Sequence, residues 1–326
     1  KKNYPDSKTD LFAVFIERCG QMIIDNGYQA MITQQVWMFI SSLEKLRKII
    51  LKSSIVNMAH LGTKAFEDIS GEVVQTTSFV IRKRYIENYC GLYKRLVFYN
   101  GQNEKEKKFL QKNNMYVSNQ SNFRLIPGSP IAYWISDNFT MLFKNHTKLG
   151  EFVRCAAGVS TGDNETFLKL WNEVNFKNIA MGIKSDKEFK KSNYTYALCN
   201  KGGGIRKWYG NNDYVANWRR SDEFHRNGST YKELLFIEGI TWSEICLGNF
   251  SSRYYKDGQI FDHKSPGMFA KTSEDLRLYL GLLNSKVVSM ILQIINPTIS
   301  TGADTLRKIP IANVWIKKNN IVIVTY

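Results

Sequence analysis

Apolar positions in the first hundred residues follow helical and strand periods in alternation. Leu11, Phe12, Phe15, Ile16, Cys19, Met22 and Ile23 share one helical face, and Asn26 with Gly27 supplies a stop before a short strand over 28–33. A second helix is predicted with Leu43, Leu46, Ile49 and Ile50 inward and Lys45, Arg47, Lys48 and Lys52 outward. Strands follow over 55–59, over the β-branched run 73–81 that ends in Arg82, Lys83 and Arg84, and over 93–99. Strands separated by helices of this length predict an α/β sheet with parallel pairing. The last two, with no helix between them, predict a hairpin at its edge.

Between about 100 and 150 the pattern loosens. Residues 103–113 read as a charged helix in which only Phe109 and Leu110 are apolar, and Pro127, Gly128, Ser129 and Pro130 form a stiff turn. The chain therefore divides into residues 1–100, a connector over 101–150, and a second domain over 151–326. The second domain is mixed α+β, with short aromatic strands such as 194–199 and 234–237 and many Gly and Asn turns. Two apolar-faced helices close it. Ser273 caps the first, with Leu276, Leu280 and Leu283 inward; the second carries Val287, Val288, Ile291 and Ile294 and stops at Asn296 and Pro297. Trp242 and Trp315 read as core residues. No internal repeat or low-complexity tract interrupts this organisation.

Charge narrows the partners. The 326 residues hold 45 Lys and Arg against 29 Asp and Glu, a formal charge of +16 that attracts a polyanion and releases its counterions on binding. A membrane is the weaker candidate, because the best apolar run, 287–295, is short and carries Ser289 and Gln293. The amino terminus has no secretion signal and does not begin with Met, which predicts a piece of a longer protein. Cys19, Cys90, Cys155, Cys199 and Cys246 are odd in number and never spaced as Cys-x-x-Cys, arguing for a reduced, cytoplasmic protein without structural zinc. His60, His146, His225 and His263 are isolated in sequence, so no metal site is expected and each reads as a surface or locally bonded residue.

The richest stretch is 202–220. Gly202, Gly203 and Gly204 offer bare amides to phosphate oxygens, Arg206, Lys207, Arg219 and Arg220 offer cations, and Trp208, Tyr209 and Trp218 offer apolar faces. This combination points to nucleic acid; the alternative is a glycine-rich turn with a solvated cationic rim. Arg253, Tyr254, Tyr255 and Lys271 form a second cationic and aromatic group.

Several segments in shared order resemble a known family. The run from Asp10 through Arg18, the run from Asn26 through Thr33, and Trp37 resemble the segment downstream of the catalytic loop in amino-adenine (N6) DNA methyltransferases of the gamma arrangement. Gly158 through Asn164, Trp171 through Val174, Gly239 through Ser243, Leu282 through Lys286, Asn296 through Thr298, and Ile309 with Pro310 resemble their target-recognition domain. The nearest subgroup is the large methyltransferases of BREX-type phage defence and related single-chain restriction–modification enzymes.

The resemblance implies the C-terminal part of a Rossmann-like methyltransferase domain, then a recognition domain that clamps double-stranded DNA. It implies S-adenosylmethionine as cofactor, other proteins of a defence system as partners, and no membrane. The family's glycine-containing cofactor loop and Asn-Pro-Pro-Tyr-type tetrapeptide do not occur in this sequence, so the chain alone is expected to be inactive. By resemblance Phe66 stacks on the flipped adenine; its alternative is a core position. Asp10 and Phe12, with Phe15, border the cofactor and target pockets, or Asp10 is simply a helix N-cap. Gly203, Arg206, Lys207, Trp208, Trp218, Arg219, Arg220, Arg253 and Lys271 are the expected DNA contacts. Asp163 and Asn164 open a helix with Phe167, Leu170 and Trp171 on its apolar face. Two other classes stay open: a non-catalytic specificity subunit of a restriction complex, and an RNA-binding or RNA-modifying protein.

Overall fold

The computed structural model describes residues 3–66, 74–246, 248–296 and 299–311. Glu67, Glu72, Val73, Pro297, Thr298 and Trp315, which carry parts of the readings above, lie outside them. The chain divides into two units, Lys1–His146 and Thr147–Tyr326.

In the first unit the elements follow one another as α1 (Leu11–Met22), β1 (Tyr28–Gln34), α2 (Glu44–Ile50), β2 (Ser54–Gly62), β3 (Thr76–Arg82), β4 (Cys90–Arg95), α3 (Gln102–Leu110), β5 (Met115–Asn119) and α4 (Asp137–Asn145). The sheet order is β1-β3-β2-β4-β5. β3 lies between β1 and β2 and is antiparallel to both, while β2 and β4 pair in parallel. The expected edge hairpin of the last two strands does not form. A crossover from β3 to the far side of β2 takes its place, and β5 adds the antiparallel edge. Residues 101–146, read as a connector, are thus part of this unit. Phe123, Ile131 and Tyr133 from that stretch pack into the core formed by Trp37, Leu46, Met58, Phe79 and Tyr93.

Two sequence readings fail here for the same physical reason. Arg47, expected outside, is buried, and its guanidinium donates to the carbonyls of Trp37, Ile40 and Gly128 at 2.7–2.8 Å, supplying a donor to carbonyls of two turns that close over it. Lys105 is buried too and donates to Leu61 O at 2.7 Å and Leu96 O at 2.9 Å. Helical period marks them as outward because it does not see which loop carbonyls need a donor. Conversely, only Ala13 and Ile16 of α1 are buried, while Leu11, Phe15 and Met22 are exposed.

The second unit runs β6 (Thr147–Lys148), β7 (Arg154–Ala156), α5 (Asn164–Phe167), β8 (Leu168–Leu170), β9 (Ile179–Ala180), α6 (Asp186–Lys191), β10 (Tyr196–Asn200), β11 (Tyr214–Asn217), β12 (Gly239–Trp242), β13 (Ser252–Tyr255), β14 (Gln259–Phe261), β15 (Gly267–Phe269), α7 (Ser273–Leu283), α8 (Lys286–Ile295), α9 (Ala303–Arg307) and β16 (Pro310–Ile311). One mixed sheet has the order β14-β10-β11-β8, with β9 beside β10; an antiparallel sheet has the order β13-β12-β15-β7. Their core is aromatic, with Phe189, Trp218, Phe224, Phe236, Tyr255, Phe261 and Phe269 buried together. Burying a Phe such as Phe189 or Phe236 contributes about 1.5–3 kcal/mol each.

Local chemistry explains most boundaries. Asp163 caps α5 by accepting from Thr166 N at 3.1 Å, but the helix ends at Phe167 and leaves Leu170 and Trp171 exposed rather than on a buried face. Thr272, not Ser273, caps α7 by accepting from Asp275 N. Ser285 caps α8, in which Val288, Ile291 and Ile294 are buried and Val287 is exposed. Residues 234–237 form no strand. Trp242 is core, as expected.

Candidate nucleic-acid interface

The connection from β10 to β11 carries the glycine and aromatic stretch. It is a fixed structure. Gly203 is held by Ser243, whose hydroxyl donates to Gly203 O at 2.9 Å and accepts from Gly203 N at 3.1 Å. Asn211 closes the loop on Gly204 O at 3.1 Å. Trp208 joins the edge of β13: its N–H donates to Ser252 O and its carbonyl accepts from Tyr254 N, both at 2.9 Å. Lys207 Nζ donates to Asn284 O at 3.3 Å, and the Asn284 side chain bonds both N and O of Ser252. Gly202 is required, because a Cβ there would lie 2.8 Å from Lys264 O.

The loop presents its chemistry outward. Gly203, Arg206 and Lys207 are exposed, with Ile205, Trp208 and Tyr209 at 51%, 53% and 65% exposure. Trp208 has φ 75°, a conformation that a bulky L residue rarely adopts and that costs of order 1–3 kcal/mol. Its two ladder bonds hold it there. The result is an indole fixed at the surface beside two cations, suited to stacking and to phosphate contact.

The other end of the same hairpin differs. β11 separates the loop from Trp218 by roughly 14 Å at ~3.4 Å per residue. Trp218 is buried and its indole N–H donates to Asp186 at 2.8 Å. Arg219 donates to Tyr194 O and Lys190 O, and Arg220 forms a two-bond pair with Glu223 at 2.6 Å, holding the Glu223 carboxyl below its ordinary pKa. Stretch 202–220 is thus not one patch, and Trp218 is corrected to a core residue. Arg253 is corrected as well: it and Tyr255 are fully buried, and Tyr254 OH is engaged by Glu238 at 2.8 Å. Lys271 is exposed.

In the first unit, Gln29 in β1 donates to Ile16 O, midway along α1, at 3.0 Å, and Lys83, whose backbone pairs with Gly27 just before β1, donates from Nζ to Ile23 O at 2.6 Å, fixing the end of α1 beside the start of β1. The beginning of α1 therefore lies on the side where β1 ends. Gln34 and Gly62, the carboxyl ends of β1 and β2, both pair with Thr76. Asp10, Phe12 and Phe66 accordingly fall at the carboxyl edge of the sheet, where open α/β sheets bind ligands. Asp10 is exposed and makes no side-chain capping bond; Phe12 packs against the core; Phe66 is 39% exposed and outside the core.

A polar chain missed by sequence reasoning runs through this edge. His60, read as surface or locally bonded, is buried, with Nδ1 3.1 Å from Tyr133 OH and Nε2 2.7 Å from Gln35 Oε1. Gln35 Nε2 donates in turn to Gln75 Oε1. Burial, reinforced by the charges of Arg95 and Lys105, lowers the His60 pKa to about 3, so the ring is neutral. Its only sequence signal was a lone His directly after the strand predicted over 55–59. Among the described residues no group of three or more His, Cys, Asp or Glu could hold a metal ion, and no single helix is long and apolar enough to cross a membrane.

The chain is similar to known methyltransferases. A family model described as Eco57I restriction-modification methylase matches residues 1–66. The chain is also 40% identical over 330 residues to the adenine-specific methyltransferase PglX of Lacticaseibacillus casei (strain Zhang), covering 95% of this chain and 27% of that protein. It is 36% identical over 328 residues to the adenine-specific methyltransferase BrxX of Escherichia coli O9:H4 (strain HS), covering 98% and 26% respectively. Over nearly all its length the chain corresponds to a segment of adenine-specific methyltransferases, and it spans about a quarter of these relatives.

Solved structures agree in fold. A nuclease-deletion mutant of the Type ISP restriction-modification enzyme LlaGI, in complex with a DNA substrate mimic, matches 90% of this chain and 29% of its own at TM-score 0.53 and 11% identity. The Type IIL restriction-modification enzyme MmeI, in complex with DNA, matches 90% and 40% at TM-score 0.54 and 10% identity. The expected mixed α/β architecture and the resemblance to adenine methyltransferases are both borne out.

Proposed function

We propose that this chain serves an adenine-N6 DNA methyltransferase of phage defence or restriction–modification, acting in the cytoplasm on double-stranded DNA with S-adenosylmethionine as methyl donor. The observation that carries this reading is the 36–40% identity to two adenine-specific methyltransferases over 95–98% of the chain. The first unit belongs to the methyltransferase domain and the second to target recognition. Bound S-adenosylmethionine would supply an electrophilic methyl group to the exocyclic amine of adenine. Asp10 and Phe12 border its pocket, and the half-exposed Phe66 stacks on the extruded base, excluding water from one face. The loop at Gly203, Arg206, Lys207 and Trp208 meets the duplex, the cations neutralising phosphates and the indole stacking against a base or sugar. Lys271 is a further exposed cation for the backbone.

The test is direct. Supplied with labelled S-adenosylmethionine and unmethylated plasmid, the full protein is expected to place label on adenine N6, detected after nucleoside digestion; label on cytosine, on RNA or nowhere overturns the reading. The 326-residue chain alone is expected to transfer none, since neither the glycine loop nor the tetrapeptide occurs in its sequence.

A further inference from the structure

Among the described residues Arg253 is a buried cation without an acid. It sits in β13 opposite Thr241 of β12 and is 0% exposed. Nη1 lies 3.4 Å from Ser243 Oγ and Nη2 3.3 Å from Ser265 Oγ, while Nε has no hydrogen-bond partner among the described residues. None of its partners among the described residues is a carboxylate. Burial lowers its pKa to about 10, leaving the guanidinium charged at neutral pH. An apolar side chain of similar volume would fill a sheet core at lower cost than an uncompensated cation. The charge therefore calls for a role beyond packing.

Its two donors run into a directional chain. Ser243 Oγ, receiving Nη1, passes its own proton to Gly203 O and accepts from Gly203 N. Ser265 Oγ, receiving Nη2, lies 2.7 Å from Thr241 Oγ1, which donates to Ser265 O. A hydroxyl that accepts from a cation is polarised into a stronger donor, so the buried charge tightens the bond from Ser243 to Gly203. The backbone of the same strand also grips the loop, since Trp208 bonds to the residues on either side of Arg253. Two anchors, Ser243 just after β12 and the backbone of β13, thus bracket Ile205, Arg206 and Lys207.

We propose that Arg253 is a positioning residue that, through Ser243, holds the 202–209 loop in the shape that meets DNA, without touching DNA itself. The proposal rests on the reading of that loop as the DNA-contacting surface. It assigns the charge a task specific to the loop: removing it frees the glycine anchor while the β13 ladder and the aromatic core remain.

The experiment compares Arg253→Met, Arg253→Lys, Ser243→Ala and, as a direct-contact reference, Arg206→Ala in the full protein. Trypsin reports the loop, because Arg206 and Lys207 lie between the anchors. Arg253→Met and Ser243→Ala are expected to speed cleavage there at least tenfold and to weaken duplex-DNA binding several-fold with an unchanged slope of log affinity on log salt. Arg253→Lys, able to reach one serine, should fall between. Arg206→Ala should instead flatten the slope by ~0.9 without speeding cleavage at Lys207. Ser243→Ala keeps the test decisive if Arg253→Met does not fold. A flattened slope with an intact loop in Arg253→Met would mean that Arg253 meets DNA itself, and unchanged cleavage in both variants would mean no positioning role. If the loop loosens yet DNA affinity holds, and Arg206→Ala is also neutral, the loop is not the DNA surface and both readings fall.

Discussion

The two ends of the β10–β11 hairpin have nearly the same composition, a Trp beside two cationic side chains, and opposite circumstances. At the loop end Trp208 is exposed at positive φ, and among the described residues Arg206 bonds only its own neighbour's carbonyl and Lys207 a single carbonyl, Asn284 O, at 3.3 Å. At the far end Trp218 is buried, Arg219 is committed to two carbonyls and Arg220 to Glu223. On the proposed reading, what separates a DNA contact from a structural cation is therefore how firmly internal partners hold it. Residue type does not decide it.

The largest expected effect is on stability. Trp218→Ala should cost about 3–5 kcal/mol, because it empties a packed aromatic site and removes the indole donor from Asp186. Trp208→Gly should leave the melting temperature unchanged or raise it by relieving strain, yet weaken duplex binding by about 1–3 kcal/mol. Equal thermal losses in the two variants, measured by denaturant or heat, would break the comparison. Next in size is the salt dependence. Neutralising Arg206 and Lys207 together should reduce the slope of log affinity on log salt by about 1.8, and neutralising Arg219 and Arg220 together should leave it unchanged. A flattened slope in the second pair would place the DNA face at the wrong end.

The same rule extends to the first unit through His60. Its folded pKa of about 3 lies below the ordinary value of 6.5, so the unfolded chain binds the proton first. Stability contributed by the neutral ring is complete above pH 6.5 and is lost as pH falls towards about 3. His60→Gln, which cannot titrate, should flatten unfolding free energy across that window in denaturant titrations; an unchanged pH profile would show that His60 is not the group responsible. An effect comparable to that of Trp208→Gly, but on methylation, concerns Phe66. Phe66→Ala should spare the melting temperature, because the ring is outside the core, and reduce methylation by about 1–3 kcal/mol in the full protein. Collapse of the fold with normal activity per folded molecule would return Phe66 to the core.

How far the sequence could be read depended on range. Period and capping located α1, β1, α2, β10, α7 and α8, because those signals lie within one or two turns of chain. β3 was placed wrongly: its position between β1 and β2 is set by partners about 20 and 45 residues away, beyond any local pattern. The apolar face of α1 was legible, but not whether anything covers it, and Leu11, Phe15 and Met22 are exposed. Buried cations were the most opaque. Arg47, Lys105 and Arg253 look like surface residues in sequence, and each is explained only by a carbonyl or hydroxyl brought close by the fold. At the site, the glycine–aromatic loop was visible from composition, whereas the division of 202–220 into a free end and a satisfied end needed the hairpin.

Amide hydrogen exchange with and without duplex DNA at low salt tests that division most directly. The account predicts slowed exchange over 203–209 on adding DNA, with residues 218–223 unaffected. Protection confined to 218–223, or none in either segment while DNA is demonstrably bound, would contradict it.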